Sequence, residues 1–225
     1  MRITEMAYII PTYLLNSTLP ALCSGNNNKS QQKTAGKTLF SCILLGITAA
    51  LFSFFWARPI MALLTSDAYI SSASSVGADT LLKFSSFSMM GNSIVLYAFY
   101  VLLTMHEWKI LLHRMGIGVI LSLSLNLILI PKFGALGAVW SGIVVNSLLA
   151  ILLLWPSLKI LPITWDMLWT KKLCIFTVLL GISIAISQFF LRDAFTTILG
   201  SVCITILLFS LSKTLGFHKI LLKDS

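Results

Sequence analysis

The sequence predicts an all-α, polytopic membrane protein of about seven transmembrane helices, and three observations carry that expectation. First, 57% of the 225 residues are hydrophobic and only 10% are charged, with a mean hydropathy of +0.94. A soluble domain carries about a quarter of its residues charged. Second, the apolar residues fall in runs near the roughly 20 that a helix needs to cross a hydrocarbon core of about 30 Å. Third, lysine and arginine are divided unevenly between alternate connecting segments, as they are when cationic loops stay on the cytoplasmic side. A coiled coil is excluded by the lack of heptads. A disulfide scaffold is excluded because Cys23, Cys42, Cys174 and Cys203 lie far apart inside apolar runs, where buried, reduced thiols are expected.

The spans are expected near 6–23, 38–57, 83–105, 115–130, 135–155, 173–191 and 194–212. Pro11 and Pro20 interrupt the first. The run Leu19 to Ser24 looks like a lipoprotein cleavage box, but Leu22 stands before Cys23 where a small residue is required, and Glu5 sits in the leading region. A retained membrane segment is therefore expected instead of a signal peptide. The fourth span is short unless it begins between Trp108 and Met115. On the fifth, Gly134, Ala138, Gly142 and Asn146 recur every four residues with Gly137 and Ser141 beside them. Small side chains at that spacing let another helix approach closely. Only Arg192 and Asp193 separate the last two spans. Little chain remains for a globular head, so no separate catalytic domain, no enzyme activity and no cofactor are expected.

Orientation follows from the cations. Lys29, Lys33 and Lys37, then Lys109 and Arg114, then Lys159, Lys171 and Lys172, and finally Lys213, Lys219 and Lys223 form one set of segments. Arg2, Arg58, Lys83, Lys132 and Arg192 form the other, with Glu5, Asp79 and Asp193 close to three of them. The larger set is expected in the cytoplasm together with the C-terminus. The net charge of +9 is then a topology signal, with room for contact to anionic lipid. Nucleic acid is not an expected partner, because the cations are scattered over four segments and form no single patch.

Chemistry-bearing motifs are few. His106 and His113 are seven residues apart, whereas a zinc-binding helix presents two histidines four apart. An interfacial loop anchored by Trp108 is the expected alternative. The acids Glu5, Asp67, Asp79, Glu107, Asp166, Asp193 and Asp224 all fall in expected loops or at helix ends, so no intramembrane proton relay is indicated. Asp79 and Lys83 read as an i,i+4 pair at a helix entrance, or Lys83 as a contact for an anionic head group. The third span carries Ser85, Ser86, Ser88, Asn92, Ser93, Tyr97, Tyr100 and Thr104. This broad polar stripe avoids lipid, either by bonding to other helices or by lining a hydrated cavity. The fourth span repeats it weakly with Gly118, Ser122 and Asn126.

The block from Asn126 through Pro131, Gly134, Gly137 and Ala138 to Trp140 resembles the helix–turn–helix signature of polysaccharide-biosynthesis flippases. These belong to the superfamily that also holds multidrug extruders and the lipid II flippase. The stretch from Arg2 through Pro11 to Pro20 is similar to that family's segment after helix 7, and the resemblance covers roughly residues 2–155. It implies that 1–155 is a partial C-terminal lobe of five helices. Residues 156–225 would add a cytoplasmic loop, two extra helices and a basic tail, and the seven spans would correspond to helices 8 to 14. It further implies transport of a lipid-linked oligosaccharide across the cytoplasmic membrane, with a missing N-terminal lobe or another subunit as partner. Arg58 and Lys83 would meet the diphosphate charge, and Ser88, Asn92 and Asn126 the sugar hydroxyls. The competing readings are a multidrug extruder fragment, a non-transporting membrane interaction subunit and an inert fragment.

The cation split generates a direct test. Single cysteines replacing Ser30 and Ser72, in a background without Cys23, Cys42, Cys174 and Cys203, should differ in reaction with a membrane-impermeant maleimide in intact cells. Ser30→Cys should be protected and Ser72→Cys labelled; the opposite pattern inverts the topology.

Overall fold

A computed structural model describes residues 12–13, 15–17, 28–64, 77–163 and 167–190. The described residues form five long helices, α1 (Asn28–Leu64), α2 (Ala78–Thr104), α3 (Trp108–Phe133), α4 (Ala135–Ile160) and α5 (Met167–Phe190), with short turns between α2 and α3 and between α3 and α4. Among them, four helices are long and apolar enough to cross a membrane: residues Gln31–Ala62 of α1, then α2, α3 and α4. The described residues are thus all-α, and four such helices make the chain a multi-pass membrane protein. The expected spans at 6–23 and 194–212 lie outside the described residues, apart from short helical pieces near 12–17.

Each helix is longer than its expected span. The polar residues Asn28 to Lys37 extend α1 by turns that the apolar run alone does not demand, giving 37 residues, or about 55 Å at 1.5 Å per residue. The short fourth span is resolved by α3 starting at Trp108. An apolar run reports the stretch in contact with hydrocarbon, whereas intrahelical hydrogen bonding continues until a cap or turn ends it.

Those turns are set by backbone chemistry. After α2, His106 adopts φ 59°, its N–H bonds to Leu103 O at 3.2 Å, and the Glu107 N–H reaches back to Leu102 O at 3.0 Å. This paired cap normally carries glycine at the left-handed position. His106 is therefore fixed here by its backbone, in the loop where the sequence expects an interfacial anchor. After α3, Gly134 has φ 58° and ψ −135°, a region open essentially to glycine alone. It closes a tight hairpin into α4, with Gly134 N–H to Ile130 O at 2.8 Å and Gly137 N–H to Gly134 O at 3.0 Å. A Cβ on Gly137 would collide with Leu129 O, so the missing side chain is what lets α4 lie against the α3 backbone.

The chain groups into two compact units, Met1–Ala50 with Leu81–Trp165 and Leu51–Thr80 with Asp166–Ser225. In the first, Leu39 and Cys42 of α1, Tyr97, Ala98 and Leu102 of α2, Leu111 of α3 and Leu153 of α4 form one buried cluster. In the second, Trp56 is fully buried and stacked on Phe52 with ring centroids 5.3 Å apart. Phe176, Leu180 and Ile184 form a buried stripe on α5 at intervals of four. Helix α3 is the most outward: Leu111 and Gly118 are its buried residues, while Leu112, Ile120, Leu123 and Leu127 are exposed. An apolar exterior of this kind is stable where lipid replaces water. Of the described cysteines, Cys42 is buried as expected, but Cys174 is exposed, on the face of α5 away from its buried stripe.

Small residues on α4 do not act as the single stripe that their spacing suggests. Gly142 meets nothing within 4 Å, whereas Gly137 abuts α3 and the backbone of Asn146 lies 3.3 Å from where a Cβ on Gly91 of α2 would stand. Close approach is therefore divided between two sides of the helix.

Pro156 lies inside α4, and having no N–H it leaves the Leu152 carbonyl without its i+4 donor. The Arg114 guanidinium of α3 donates to that carbonyl. This partner for the orphaned group ties the two helices together. Arg114→Met should lower stability by about 1–2 kcal/mol, read by denaturant unfolding in micelles. In a Pro156→Ala background, where the alanine N–H can restore the helical bond, at least about half of that cost should disappear.

Candidate functional site

Polar side chains inside the apolar helices of the first unit gather around α4. Hydrocarbon offers no hydrogen bonds, so an amide or hydroxyl at this depth is held by another protein group or by enclosed water. The mid-helix Asn146 donates through Nδ2 to Ser88 Oγ on α2. Farther toward the α4 start, Ser141 Oγ donates to Asn126 Oδ1 on α3, and Asn126 Nδ2 lies 3.4 Å from Ser122 Oγ. An amide–hydroxyl pair thus joins α4 to each neighbour. The two sites are five residues apart on α4 and so lie on different sides of a helix with 3.6 residues per turn.

The remaining stripe on α2 is largely bonded as well. Ser86 donates to Lys83 O at 2.7 Å, Ser93 to Met89 O at 3.0 Å and Thr104 to Tyr100 O at 2.7 Å. Tyr100 donates to Asn16 Oδ1 at 2.8 Å, which brings the short helical piece near residue 16 against α2. Tyr97 is fully buried in the apolar cluster. Asn92 is half-buried.

The five candidate residues therefore divide. Ser88 and Asn126 are each bonded to α4, through Asn146 and Ser141 respectively. Asn92 stands one helical turn beyond Ser88 on α2. Lys83 is exposed near the α2 start, and Arg58 is exposed near the α1 end, in the second unit. Ser88 and Asn92 share one helix and Asn126 is linked to it through α4, while Arg58 belongs to the other unit. Sequence reasoning placed Asn146 and Ser141 in a packing stripe and missed their polar pairing. The available signal was their type: an amide in an apolar helix requires a partner, and each of these helices supplied a serine or asparagine to meet it.

One further feature belongs to the first unit. Phe84, Phe87, Trp140, Ile143 and Ser147 line an open groove of about 430 Å³ between α2 and α4. The Phe84 and Trp140 rings are 5.9 Å apart and tilted by 34°.

In comparison with known proteins, the chain matches no family model, and no curated protein matches its sequence.

The pairing of Asn146 with Ser88 predicts a measurable coupling. In a double-mutant cycle of Ser88→Ala and Asn146→Leu, unfolding in micelles should give an interaction energy of about 0.6–1.7 kcal/mol. Additive losses would remove the bond as a stabilising link.

Proposed function

We propose that this chain forms part of a transporter that flips a lipid-linked oligosaccharide across the cytoplasmic membrane for polysaccharide biosynthesis, its C-terminus on the cytoplasmic side. The observation that carries the reading is the block Asn126 to Trp140. It resembles the flippase signature in sequence, and in the fold it is a helix, a turn at Gly134 and a second helix, pinned by Ser141 to Asn126. The intramembrane polarity of α2 is compatible with a neighbouring polar path, and Asn92 is the residue on it best placed to meet a sugar hydroxyl.

The transport mechanism needs no covalent step. A polyprenyl tail stays among lipids while its sugar and diphosphate pass between two bodies that open alternately to either side. In this reading the five-helix region 1–155 belongs to one body, 156–225 adds two helices and a basic tail, and a second lobe supplies the other body. Lys83 of the first unit and, separately, Arg58 of the second are both exposed, and each would offer a cation to the diphosphate charge through charge-assisted hydrogen bonds. Ser88 and Asn126 would act chiefly by holding the helices around the path, since their polar atoms already bond to α4.

Complementation tests the reading. In a strain lacking its polysaccharide flippase, residues 1–225 expressed with a matching first lobe should restore surface glycan, and residues 1–225 alone should not. Asn92→Leu should reduce restoration at least about tenfold with normal membrane abundance, the order expected when about 1.4 kcal/mol of a transport-state contact is lost. Failure of every lobe combination, or efflux of amphiphilic cations in place of glycan export, would reject the proposal.

A further inference from the structure

The groove between α2 and α4 is walled by aromatic rings and opens outward on a protein whose surroundings are lipid. Phe87 is 55% exposed and Trp140 is 47% exposed, so their faces are available to whatever fills it. Two contacts fix the direction of the groove. Phe84 meets Trp140 and, one turn deeper, Ser88 meets Asn146, so α2 and α4 run parallel and their N-terminal ends share one end of the unit. Lys83 directly precedes Phe84 and stands one helical turn before Phe87, the i,i+4 relation that places two side chains on one helix face. It is exposed, and an ammonium group has three donors, which allows it to meet an outside anion while keeping a contact within the protein. Lys132, also exposed, lies in the last turn of α3, at the end that Gly134 joins to α4.

We propose that this groove is a binding site for an anionic glycerophospholipid of the bilayer. Its phosphate meets Lys83 at the mouth, and one acyl chain lies along Phe84, Phe87, Trp140 and Ile143. The two parts of the site match the two parts of the molecule. A long cationic side chain reaches to the headgroup level while its stem stays with the apolar surface, and aromatic rings concentrate at the same level. From there the groove leads deeper into the hydrocarbon, past exposed apolar faces that gain contact area from a chain lying against them. Charge complementarity selects the occupant: an uncharged apolar partner would have no use for the cation at the mouth, and a zwitterionic lipid would bring its own positive group against it. The bound molecule is a resident of the bilayer, so the proposal goes beyond the transport reading and does not depend on it.

Quenching of Trp140 fluorescence tests the site. The full chain and its Trp140→Phe variant are reconstituted into phosphatidylcholine vesicles containing increasing fractions of brominated phosphatidylglycerol or brominated phosphatidylcholine. The difference between the two proteins reports Trp140. Half-quenching should require about fivefold less brominated phosphatidylglycerol than brominated phosphatidylcholine, the factor that one lysine contributes at an anionic surface. Lys83→Gln should abolish the preference, Lys83→Arg should keep it, and Lys109→Gln, on a helix end remote from the groove, should leave it unchanged. Far-UV circular dichroism establishes that each variant is folded, and mass spectrometry of lipid retained by the purified protein gives a second reading of the Lys83 series. Equal quenching by the two lipids, or a preference that survives Lys83→Gln, overturns the proposal. Quenching by neither lipid would mean that another protein surface or a second copy covers the groove. Displacement of the brominated phosphatidylglycerol by stoichiometric polyprenyl diphosphate would make the site one for an isoprenoid carrier. Either result overturns it as well.

Discussion

The hydrogen bond from Asn146 to Ser88 is the contact on which the arrangement of the first unit depends most. In hydrocarbon an apolar side chain gains little by leaving lipid for protein, so helix association rests on close packing and on polar groups that find partners. Asn146 supplies both. Its amide meets Ser88, and its backbone approaches the site of Gly91, where a larger residue would hold the helices apart. The bond and the close approach reinforce one another, because the hydrogen bond has a narrow range of length and the glycine permits that range.

The same requirement organises the rest of the unit. Ser141 and Asn126 satisfy one another across the α3–α4 hairpin, and Gly137 allows the short separation their side chains need. Arg114 answers the carbonyl that Pro156 leaves open. Ser86, Ser93 and Thr104 instead return their hydroxyls to a carbonyl three or four residues earlier. Such bonds hide polarity at little cost to the helix. They also make α2 look more hydrophilic in sequence than it is to its surroundings.

This economy bears on function. In the proposed transport reading the path needs polar groups that face a cavity, and the candidate residues differ in how far the fold has already engaged them. Ser88 and Asn126 hold helices together, whereas Asn92 is half-buried one turn beyond Ser88. Lys83 and Arg58 are exposed near helix ends, where a charge can remain solvated by headgroups. The residues best able to contact a moving substrate are therefore those whose polarity is not committed to α4. In the same reading, loss of Ser88 or Asn126 would act through the geometry of the helices.

Solvent and secondary structure were legible in the sequence because each depends on a sum over many residues: some 20 apolar side chains per span outweigh any local exception, and the Gly134 turn between two such runs was marked by its own residue type. The ends of the helices were less legible, since Asn28 to Lys37 and Trp108 to Met115 continue a helix for reasons of backbone hydrogen bonding that hydropathy does not register. Partner choice was not legible at all. Gly137 and Gly142, both glycines in the same helix, have opposite surroundings, and Asn146 could have turned its amide to a cavity as readily as to Ser88. Pro156 and Arg114, 42 positions apart in the chain, gain their relation only when α3 folds back on α4. The sequence by itself determined that this chain lives in a membrane as helices, because transfer into hydrocarbon is additive along the chain. Which polar groups bind helices and which remain for a ligand was decided by tertiary structure, because a hydrogen bond requires two particular atoms to meet.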